Sequence, residues 1–272
     1  MRCAVLGDPI AHSLSPVLHR AGYAAVGLDW TYDAVRVGED DLAPFLAGLD
    51  AQWRGLSLTM PLKRRALEVA PQVTDRARLS GAVNTLVLDG GTVALADNTD
   101  LPGAVAAVRE RYDGPVATGT VLGGGATAAS TGLALCELGA TSVRLLARSP
   151  ERAAETAAAI AAHPSGPHVE VRPLAGGEVV GEVVVSTVPA SAQDAGLVAR
   201  CAAAPVVFEV VYDPWPTPLA ASVTGDRVLV RGLDLLVHQA VLQFELFTGR
   251  PGPLAAMRAA GERELAARRA AG

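Results

Sequence analysis

The stretch "TVLGGGATAAST", residues 120–131, predicts a strand, a glycine-rich turn and a helix in direct succession. Gly123, Gly125 and Ala128 fit a GxGxxA arrangement. In that arrangement the first glycine forms the tight turn, the second lets the backbone approach a pyrophosphate, and the small third residue lets the helix pack on the strand. The N-terminus of the helix then faces the phosphates. Glycine-rich turns also occur for purely geometric reasons, so the flanking sequence is needed to support a dinucleotide site.

The residues after the next predicted strand, 142–147, indicate which dinucleotide is bound. NAD-binding proteins usually place an acidic residue here, which binds the adenosine ribose. This chain has Arg148, Ser149 and Arg152 instead. Two arginines and a serine suit a 2'-phosphate, so the expected cofactor is NADP. The alternative is that Arg152 only lies in a solvated first helical turn.

Short apolar runs alternate with helical patterns along the whole chain, which predicts an α/β fold with two α/β domains. We expect a substrate-binding and catalytic domain at 1–101 plus 236–272, with a mainly parallel sheet and an antiparallel hairpin at its edge. Residues 102–235 are predicted to form a Rossmann-like NADP-binding domain. The two C-terminal helices have one apolar face and are expected to pack back on the first domain.

Composition restricts the function classes. The 272 residues are 50% hydrophobic and carry a net charge of -5, and no apolar run approaches the ~20 residues of a membrane span. No secretory signal is visible, so we expect a soluble, cytoplasmic protein. Lys63-Arg64-Arg65 is the only basic cluster, which argues against nucleic acid as a partner. A small-molecule substrate is expected, with no membrane partner, in a monomer or a homodimer.

Cysteine and histidine spacing predicts no metal site. Cys3, Cys136 and Cys201 are widely spaced, odd in number and outside any CxxC pattern, so we interpret them as small core residues. The five histidines show no metal-ligand spacing either.

Lys63 is the only lysine in a chain that has 22 arginines. Lysine can lose its proton when its surroundings lower its pKa, whereas arginine stays protonated, so this lysine points to proton transfer. Neighbouring Arg64 and Arg65 would disfavour its charged form, and a nearby Asp100 would oppose that effect. The alternative is a dispensable surface lysine.

Two serines follow the first predicted strand in "GDPIAHSLSP", residues 7–16. Ser15 precedes Pro16 and is expected to be the N-cap of a helix. Ser13 has no such structural role. Two hydroxyls at the carboxyl end of a strand, beside a helix N-terminus, favour binding of a carboxylate.

Three other polar stretches lie at comparable strand ends: Thr59 in "SLTMPLK", Asn84 in "GAVNTL" and Asp97–Asp100 in "DNTD". Hydroxyl, amide, carboxylate and ammonium groups meeting in one crevice would suit a small polyhydroxylated acid. Taken singly, Asp100 could cap a helix and Asn84 could fill a turn.

These residues resemble the shikimate dehydrogenase family over nearly the whole chain and in order. The similar stretches are the 7–19 segment with Gly7, Pro9, Ile10, His12, Ser13, Ser15, Pro16 and His19, then Thr59 to Lys63, "GAVNT" at 81–85, "DNTD" at 97–100, "VYDPWPTPL" with Tyr212, and "GLDLLVHQA" at 232–240. The resemblance implies NADPH-dependent, reversible reduction of 3-dehydroshikimate to shikimate, a step of chorismate and aromatic amino acid biosynthesis.

The resemblance also implies roles for the matched residues. Ser13, Ser15 and Tyr212 would hold the substrate carboxylate, and Thr59, Asn84, Asp100 and Gln239 would bind ring hydroxyls. Lys63 would exchange the proton at the reacting oxygen, with Asp100 as its partner. The cofactor would lie on Gly123, Gly124, Gly125, Ala126 and Thr127 and on Arg148, Ser149 and Arg152, with Val210 and Gly232 near the nicotinamide.

Some positions depart from the family pattern, and other functions stay open. Gly124-Ala126 reverses the usual order of alanine and glycine in the loop, and "ARS" stands in place of the more common "NRT". A quinate/shikimate dehydrogenase or an aminoshikimate dehydrogenase are alternatives. A ligand-sensing regulator of the same fold is a non-enzyme alternative, but such a protein would usually lose the lysine and carry a DNA-binding module.

Overall fold

A computed structural model describes residues 1–271 and divides the chain into two compact units. Unit 1 contains residues 1–78 and 82–99 together with the chain from residue 236 onward. Unit 2 contains residues 79–81 and 100–235. The chain therefore leaves unit 1 twice, briefly for residues 79–81 and then for residues 100–235, and returns to it each time.

Unit 1 is built on a five-stranded mixed sheet. Its strands are β1 (Arg2–Gly7), β2 (Thr31–Arg36), β3 (Trp53–Leu58), β4 (Thr85–Asp89) and β5 (Thr92–Asp97). The spatial order is β2-β1-β3-β4-β5. Strand β1 pairs in parallel with β2 and β3, whereas β4 is antiparallel to both β3 and β5. The carboxyl ends of β1 and β3 thus lie at one edge of the sheet, followed by the two polar stretches that begin at Gly7 and Thr59.

Unit 2 is a six-stranded parallel sheet of the doubly wound type. Its strands are β6 (Thr118–Leu122), β7 (Ser142–Ala147), β8 (His168–Pro173), β9 (Val183–Ser186), β10 (Val206–Glu209) and β11 (Val228–Arg231). They lie in the order β11-β10-β9-β6-β7-β8, and every pair is parallel. Strands β9 and β10 are buried along their whole length, as expected when helices cover both faces. The predicted α/β fold is confirmed.

The helices connect these strands. In chain order they are α1 (Ser15–Ala25), α2 (Leu42–Ala47), α3 (Leu62–Arg65), α4 (Asp75–Ser80), α5 (Asp100–Arg111), α6 (Ala126–Glu137), α7 (Ala154–Ala161), α8 (Ala195–Arg200), α9 (Pro218–Ala221), α10 (Gly232–Thr248) and α11 (Leu254–Ala271). A Cβ atom added to Gly22 of α1 would lie 3.0 Å from the Phe244 ring and 3.3 Å from Met257. The two C-terminal helices therefore pack closely on α1, as predicted.

Two regions of short helices can be compared with the sequence pattern. The pattern predicts helices from Pro61 to about Leu79, and the structure has α3 and α4 there, separated near Pro71, which lacks an N–H and disfavours a helical residue before it. Helices α8 and α9 were not predicted, because six and four residues are too few to show a helical period. Side-chain caps from Asp194 and Thr217 stabilise their first turns.

Within residues 1–271, no helix combines the length and hydropathy needed to cross a membrane. The same residues contain no group of three or more histidine, cysteine, aspartate or glutamate side chains that could hold a metal ion. All three cysteines are buried and unbonded to one another, in agreement with their interpretation as core residues.

Candidate active site residues

The glycine loop after β6 leaves open space beside the N-terminus of a helix. Gly123 has φ +121°, a conformation that favours glycine, and a Cβ atom there would lie 2.1 Å from Thr187 Oγ1. Gly125 is the N-cap of α6, and a Cβ atom there would meet nothing within 4 Å. Ala128 is fully buried between the helix and the sheet. Open space thus lies beside the backbone at the N-terminus of α6, where an anion is stabilised.

The same loop contacts the segment that carries the arginines. A Cβ atom on Gly124 would lie 2.7 Å from the Cβ of Ala153, so this glycine permits the close approach. Thr156 Oγ1 donates a hydrogen bond to the Gly124 carbonyl at 2.8 Å. The departure from the usual loop sequence therefore fits the packing of this chain, and unit 2 brings the glycine loop and the segment 148–153 together.

The proposed 2'-phosphate segment has a feature that the sequence did not reveal. Arg148 and Arg152 are exposed, whereas the Ser149 hydroxyl donates to Glu151 Oε2 at 2.9 Å. Backbone and Ser149 hydrogen bonds lower the pKa of Glu151, so this side chain is an anion at neutral pH. A bound phosphate would have to replace Glu151 as the acceptor of the Ser149 hydrogen bond. The two arginines would offset the negative charge of the phosphate.

Val210 and Gly232, expected near the nicotinamide, are in contact. A Cβ atom on Gly232 would lie 2.3 Å from the Val210 carbonyl oxygen, so only glycine allows this approach. Gly232 begins α10 directly after β11, and Val210 directly follows β10. The two residues thus lie at the carboxyl ends of adjacent parallel strands, the edge at which open α/β sheets bind ligands.

Glu209 is a residue that sequence reasoning missed. Its carboxylate is fully buried and accepts hydrogen bonds from Val211 N at 3.0 Å, Thr217 Oγ1 at 2.8 Å and Gln193 Nε2 at 2.6 Å. Burial raises the pKa of Glu209, and these hydrogen bonds oppose the rise. The network holds both ends of the segment 211–217, which contains the half-buried Tyr212. In the sequence, the only indication of Glu209 is that it is a single acid within the apolar run "VVFEVV".

The capping role predicted for Ser15 is wrong, and Ser13 makes a structural contact that was not predicted. Ser15 is not the N-cap of α1 but its first residue, and Leu14 is at the N-cap position without a side-chain cap. Ser13 Oγ instead accepts a hydrogen bond from the backbone N–H of Ser15 at 3.3 Å. The error arose because proline at the second helical position, rather than the first, shifts the start of the helix by one residue. Ser13 thus has a structural role, and the buried Ser15 hydroxyl does not cap the helix.

Thr59 and Lys63 are held against the other strand ends of unit 1 by backbone hydrogen bonds. Thr59 N donates to Leu6 O at 2.9 Å, which joins the segment after β3 to the end of β1. Val83 N donates to Lys63 O at 2.7 Å, and Val83 immediately precedes Asn84. Lys63 is half-buried in α3. Unit 1 therefore brings Thr59, Lys63 and Asn84 to one edge of its sheet.

Asn84 and Gln239 also lie side by side in unit 1. Asn84 Nδ2 is 3.3 Å from Gln239 Oε1, and both residues are buried. Asp97 of the "DNTD" stretch is used differently, because its carboxylate is paired with Arg76 and accepts from Thr74 Oγ1 at 2.6 Å. Burial alone would raise the pKa of Asp97, but these hydrogen bonds outweigh it and keep the pKa below its usual value. Asp97 therefore stabilises the fold of this segment rather than facing a ligand.

The remaining predicted residues lie in unit 2. Asp100 is buried in the first turn of α5, and Tyr212 lies between β10 and α9. Unit 1 thus contains Ser13, Ser15, Thr59, Lys63, Asn84 and Gln239, whereas unit 2 contains Asp100, Tyr212 and every residue predicted to bind the cofactor.

Gly7 is expected to be essential for the position of Thr59. A Cβ atom on Gly7 would lie 2.3 Å from Thr59 Cγ2 and 2.8 Å from Met60 O. Gly7→Ala should therefore displace the segment 59–63, lower the free energy of unfolding by about 1–3 kcal/mol and raise the KM for the substrate. Urea unfolding and steady-state kinetics measure both effects.

Gly48→Ala is a matched control for Gly7→Ala. Gly48 has φ -92°, and a Cβ atom there would meet its nearest neighbour, Phe45 O, at 3.6 Å, an ordinary contact. The free energy of unfolding of the Gly48→Ala variant should differ from that of the parent protein by less than about 0.5 kcal/mol. Equal effects of the two substitutions would show that the close approach at Gly7 does not position Thr59.

Unit 2 has the features of a dinucleotide-binding α/β protein. These features are the parallel sheet, the open N-terminus of α6 and the contact between Val210 and Gly232. The residues present fit such a cofactor, since glycines stand where a side chain would fill the space or strain the backbone.

Comparisons with known proteins identify the family. Residues 5–86 match the shikimate dehydrogenase substrate binding domain, and residues 232–260 match the shikimate 5'-dehydrogenase C-terminal domain. The shikimate dehydrogenase (NADP(+)) of Methanothermobacter thermautotrophicus is 31% identical over 292 residues, which cover 96% of this chain and 95% of the relative. The crystal structure of Mycobacterium tuberculosis shikimate dehydrogenase is 40% identical with a TM-score of 0.87, covering 96% of this chain and 99% of that chain.

A second solved structure shows how far the fold extends beyond one substrate. The quinate dehydrogenase from Corynebacterium glutamicum in complex with NAD has a TM-score of 0.87 and 25% identity, covering 97% of this chain and 99% of that chain. The 31% identity to the Methanothermobacter enzyme over nearly the full length of both chains nevertheless shows the family. The chain belongs to the shikimate dehydrogenase family and is an NADP-dependent oxidoreductase.

Proposed function

We propose that this protein catalyses the reversible NADPH-dependent reduction of 3-dehydroshikimate to shikimate in the shikimate pathway. The observation that carries the proposal is that unit 1 brings Thr59, Lys63 and Asn84 together at one sheet edge, while the glycine loop of unit 2 leaves open space at the N-terminus of α6. Full-length similarity to a shikimate dehydrogenase (NADP(+)) supports the same reaction. Because this pathway leads to the aromatic amino acids, we propose that the protein acts in aromatic amino acid biosynthesis.

The substrate contacts are proposed from the family resemblance. Ser13, Ser15 and Tyr212 bind its carboxylate, and Thr59, Asn84, Asp100 and Gln239 bind its ring hydroxyls. The pairing of Asn84 with Gln239 supports the second assignment, because two buried amides in contact provide a donor and an acceptor for a hydroxyl group.

Lys63 is proposed to exchange the proton at the reacting oxygen, with Asp100 as its partner. Lysine suits this role because it can release a proton, which arginine cannot do at working pH. Bound NADP accepts or supplies the hydride, whereas the protein provides position, charge and the proton. Positioned proton transfer of this kind typically contributes about 10²- to 10⁴-fold in rate.

The cofactor is proposed to lie on Gly123, Gly124, Gly125, Ala126 and Thr127, with its 2'-phosphate at Arg148, Ser149 and Arg152. Val210 and Gly232 are proposed to line the nicotinamide site. We assign substrate binding to 1–101 plus 236–272 and NADP binding to 102–235. We also propose a cytoplasmic monomer or homodimer.

A four-way kinetic assay tests this function. The purified protein is assayed with shikimate and with quinate, each with NADP and with NAD. We expect the highest kcat/KM for shikimate with NADP. A higher kcat/KM for quinate or for NAD would contradict the substrate or the cofactor assignment, and binding of shikimate without turnover would identify a ligand sensor.

A further inference from the structure

Six buried polar side chains of unit 1 form one continuous chain of hydrogen bonds. They are Tyr32, Ser57, Gln243, Thr85, Asn84 and Gln239, each at most 6% exposed. This network begins at Tyr32 on β2 and ends at the pair of amides proposed to bind the substrate. Because water has little access, the direction of each hydrogen bond is decided by the protein.

Main-chain groups fix the orientation of all three amides. The Asn84 carbonyl can only accept, so the Gln243 atom 3.0 Å away is its nitrogen. The Thr99 N–H can only donate, so the Asn84 atom 2.8 Å from it is its oxygen. The Leu236 carbonyl fixes the nitrogen of Gln239 in the same way, at 2.8 Å.

The hydroxyl protons follow from these orientations. Gln243 Oε1 accepts from Ser57 Oγ at 2.7 Å, and Ser57 Oγ accepts from Tyr32 OH at 2.5 Å. On the other side, Gln243 Nε2 donates to Thr85 Oγ1 at 3.0 Å. Thr85 Oγ1 then donates to Asn84 Oδ1 at 2.7 Å. Every hydrogen bond of this network from Tyr32 to Asn84 is thus donated in the direction of Asn84.

The result is a fixed polarity at the amide pair. Asn84 Nδ2 donates to Thr99 Oγ1 at 2.9 Å and faces Gln239 Oε1 at 3.3 Å, a long contact for an N–H···O hydrogen bond. A ring hydroxyl between the two amides can accept from Asn84 and donate to Gln239. An ammonium group has donors only and cannot accept from Asn84.

We infer that Gln243 and Thr85 act together with the Thr99 N–H as specificity-determining positioning residues, which hold the Asn84 amide nitrogen toward the ligand and so select a ring hydroxyl over a ring ammonium group. The inference rests on the proposed roles of Asn84 and Gln239 in binding ring hydroxyls. It would exclude aminoshikimate-type substrates whose ammonium group replaces the hydroxyl at this pair.

Two nearly isosteric variants test the inference. Thr85→Val removes the hydroxyl with little change of shape, and Gln243→Met removes the amide at similar length. We measure KM and kcat for shikimate, and KM or inhibition constants for three analogues in which one ring hydroxyl is replaced by an ammonium group. Loss of one hydrogen bond should raise the KM for shikimate about 10-fold and leave the KM for NADP within twofold.

The selectivity is the decisive readout, because a general loss of structure would affect all ligands alike. One analogue should bind the variants as well as it binds the parent protein, so the preference for shikimate over that analogue falls about 10-fold. Thr85→Ser, which keeps the hydroxyl, should restore the preference. If Gln243→Met does not fold, the valine and serine variants at Thr85 carry the test alone.

Asn84→Ala distinguishes the inference from the proposed function. If this variant leaves the KM for shikimate unchanged, the proposed role of Asn84 fails. If Asn84→Ala raises that KM while Thr85→Val and Gln243→Met leave the preference unchanged, the role of Asn84 stands and the inference is overturned.

Discussion

Lys63→Ala is expected to lower kcat for shikimate oxidation by about 10²- to 10⁴-fold, with a much smaller change in the KM for shikimate. The reason is that the hydroxyl proton must leave as hydride is transferred, and Lys63 is the group proposed to take it. Its backbone is held next to Asn84 by the hydrogen bond from Val83, so truncating the side chain leaves the surrounding backbone in place. Steady-state kinetics with NADP measure both constants.

Lys63→Arg separates proton transfer from charge. Arginine keeps the positive charge but stays protonated at all working pH values, so this variant should lose nearly as much kcat as the alanine variant. Arg64→Ala is the control for the neighbouring charge and should retain kcat within about threefold. Full turnover of Lys63→Arg would show that the site needs a cation and not a proton carrier.

Arg148→Gln combined with Arg152→Gln is expected to lower kcat/KM for NADP by about 10²- to 10⁴-fold, because charge-assisted hydrogen bonds to a phosphate contribute about 1.5–3 kcal/mol each. The kcat/KM for NAD, which lacks the 2'-phosphate, should change by less than about threefold. Both arginines are exposed in the structure, so their removal should not disturb the core. The ratio of the two kcat/KM values is the measurement.

Arg172→Gln is a matched control in the same unit. Arg172 is also exposed and donates to Glu170 Oε1 at 2.7 Å, on β8. It should leave the ratio for NADP over NAD unchanged. A parallel loss for both cofactors in the Arg148 and Arg152 variant would mean that these residues act on structure or on the shared pyrophosphate.

The sequence predicted the local features of the fold well because their causes are local. The glycine turn with a positive φ at Gly123 can be recognised from about ten consecutive residues of sequence. The same is true of the buried apolar strands of unit 2. Helix α8 shows the limit, since six residues fixed by the Asp194 cap and by tertiary packing show no period of their own.

The site was only partly predictable, because several of its contacts join residues far apart in the chain. Ser15 was wrongly predicted to be the N-cap of α1 and Ser13 to have no structural role, since the first residue of α1 depends on how the preceding turn closes. In the sequence, Glu209 is only a single acid in an apolar strand. Its hydrogen bonds with Thr217 and Gln193 are seen only in the structure. Gln243 contacts Asn84 across 159 positions of sequence, a separation that no local pattern encodes.

The most direct test of the central claim is a double-mutant cycle in kcat between Lys63→Ala and Asp100→Asn. If the two side chains act as one acid–base unit, the second substitution should cost little once the first is present, because groups that act together show strongly non-additive effects. We predict that the double variant retains kcat within about threefold of Lys63→Ala alone. Losses that multiply fully would contradict the account, because they would show that Lys63 and Asp100 act independently.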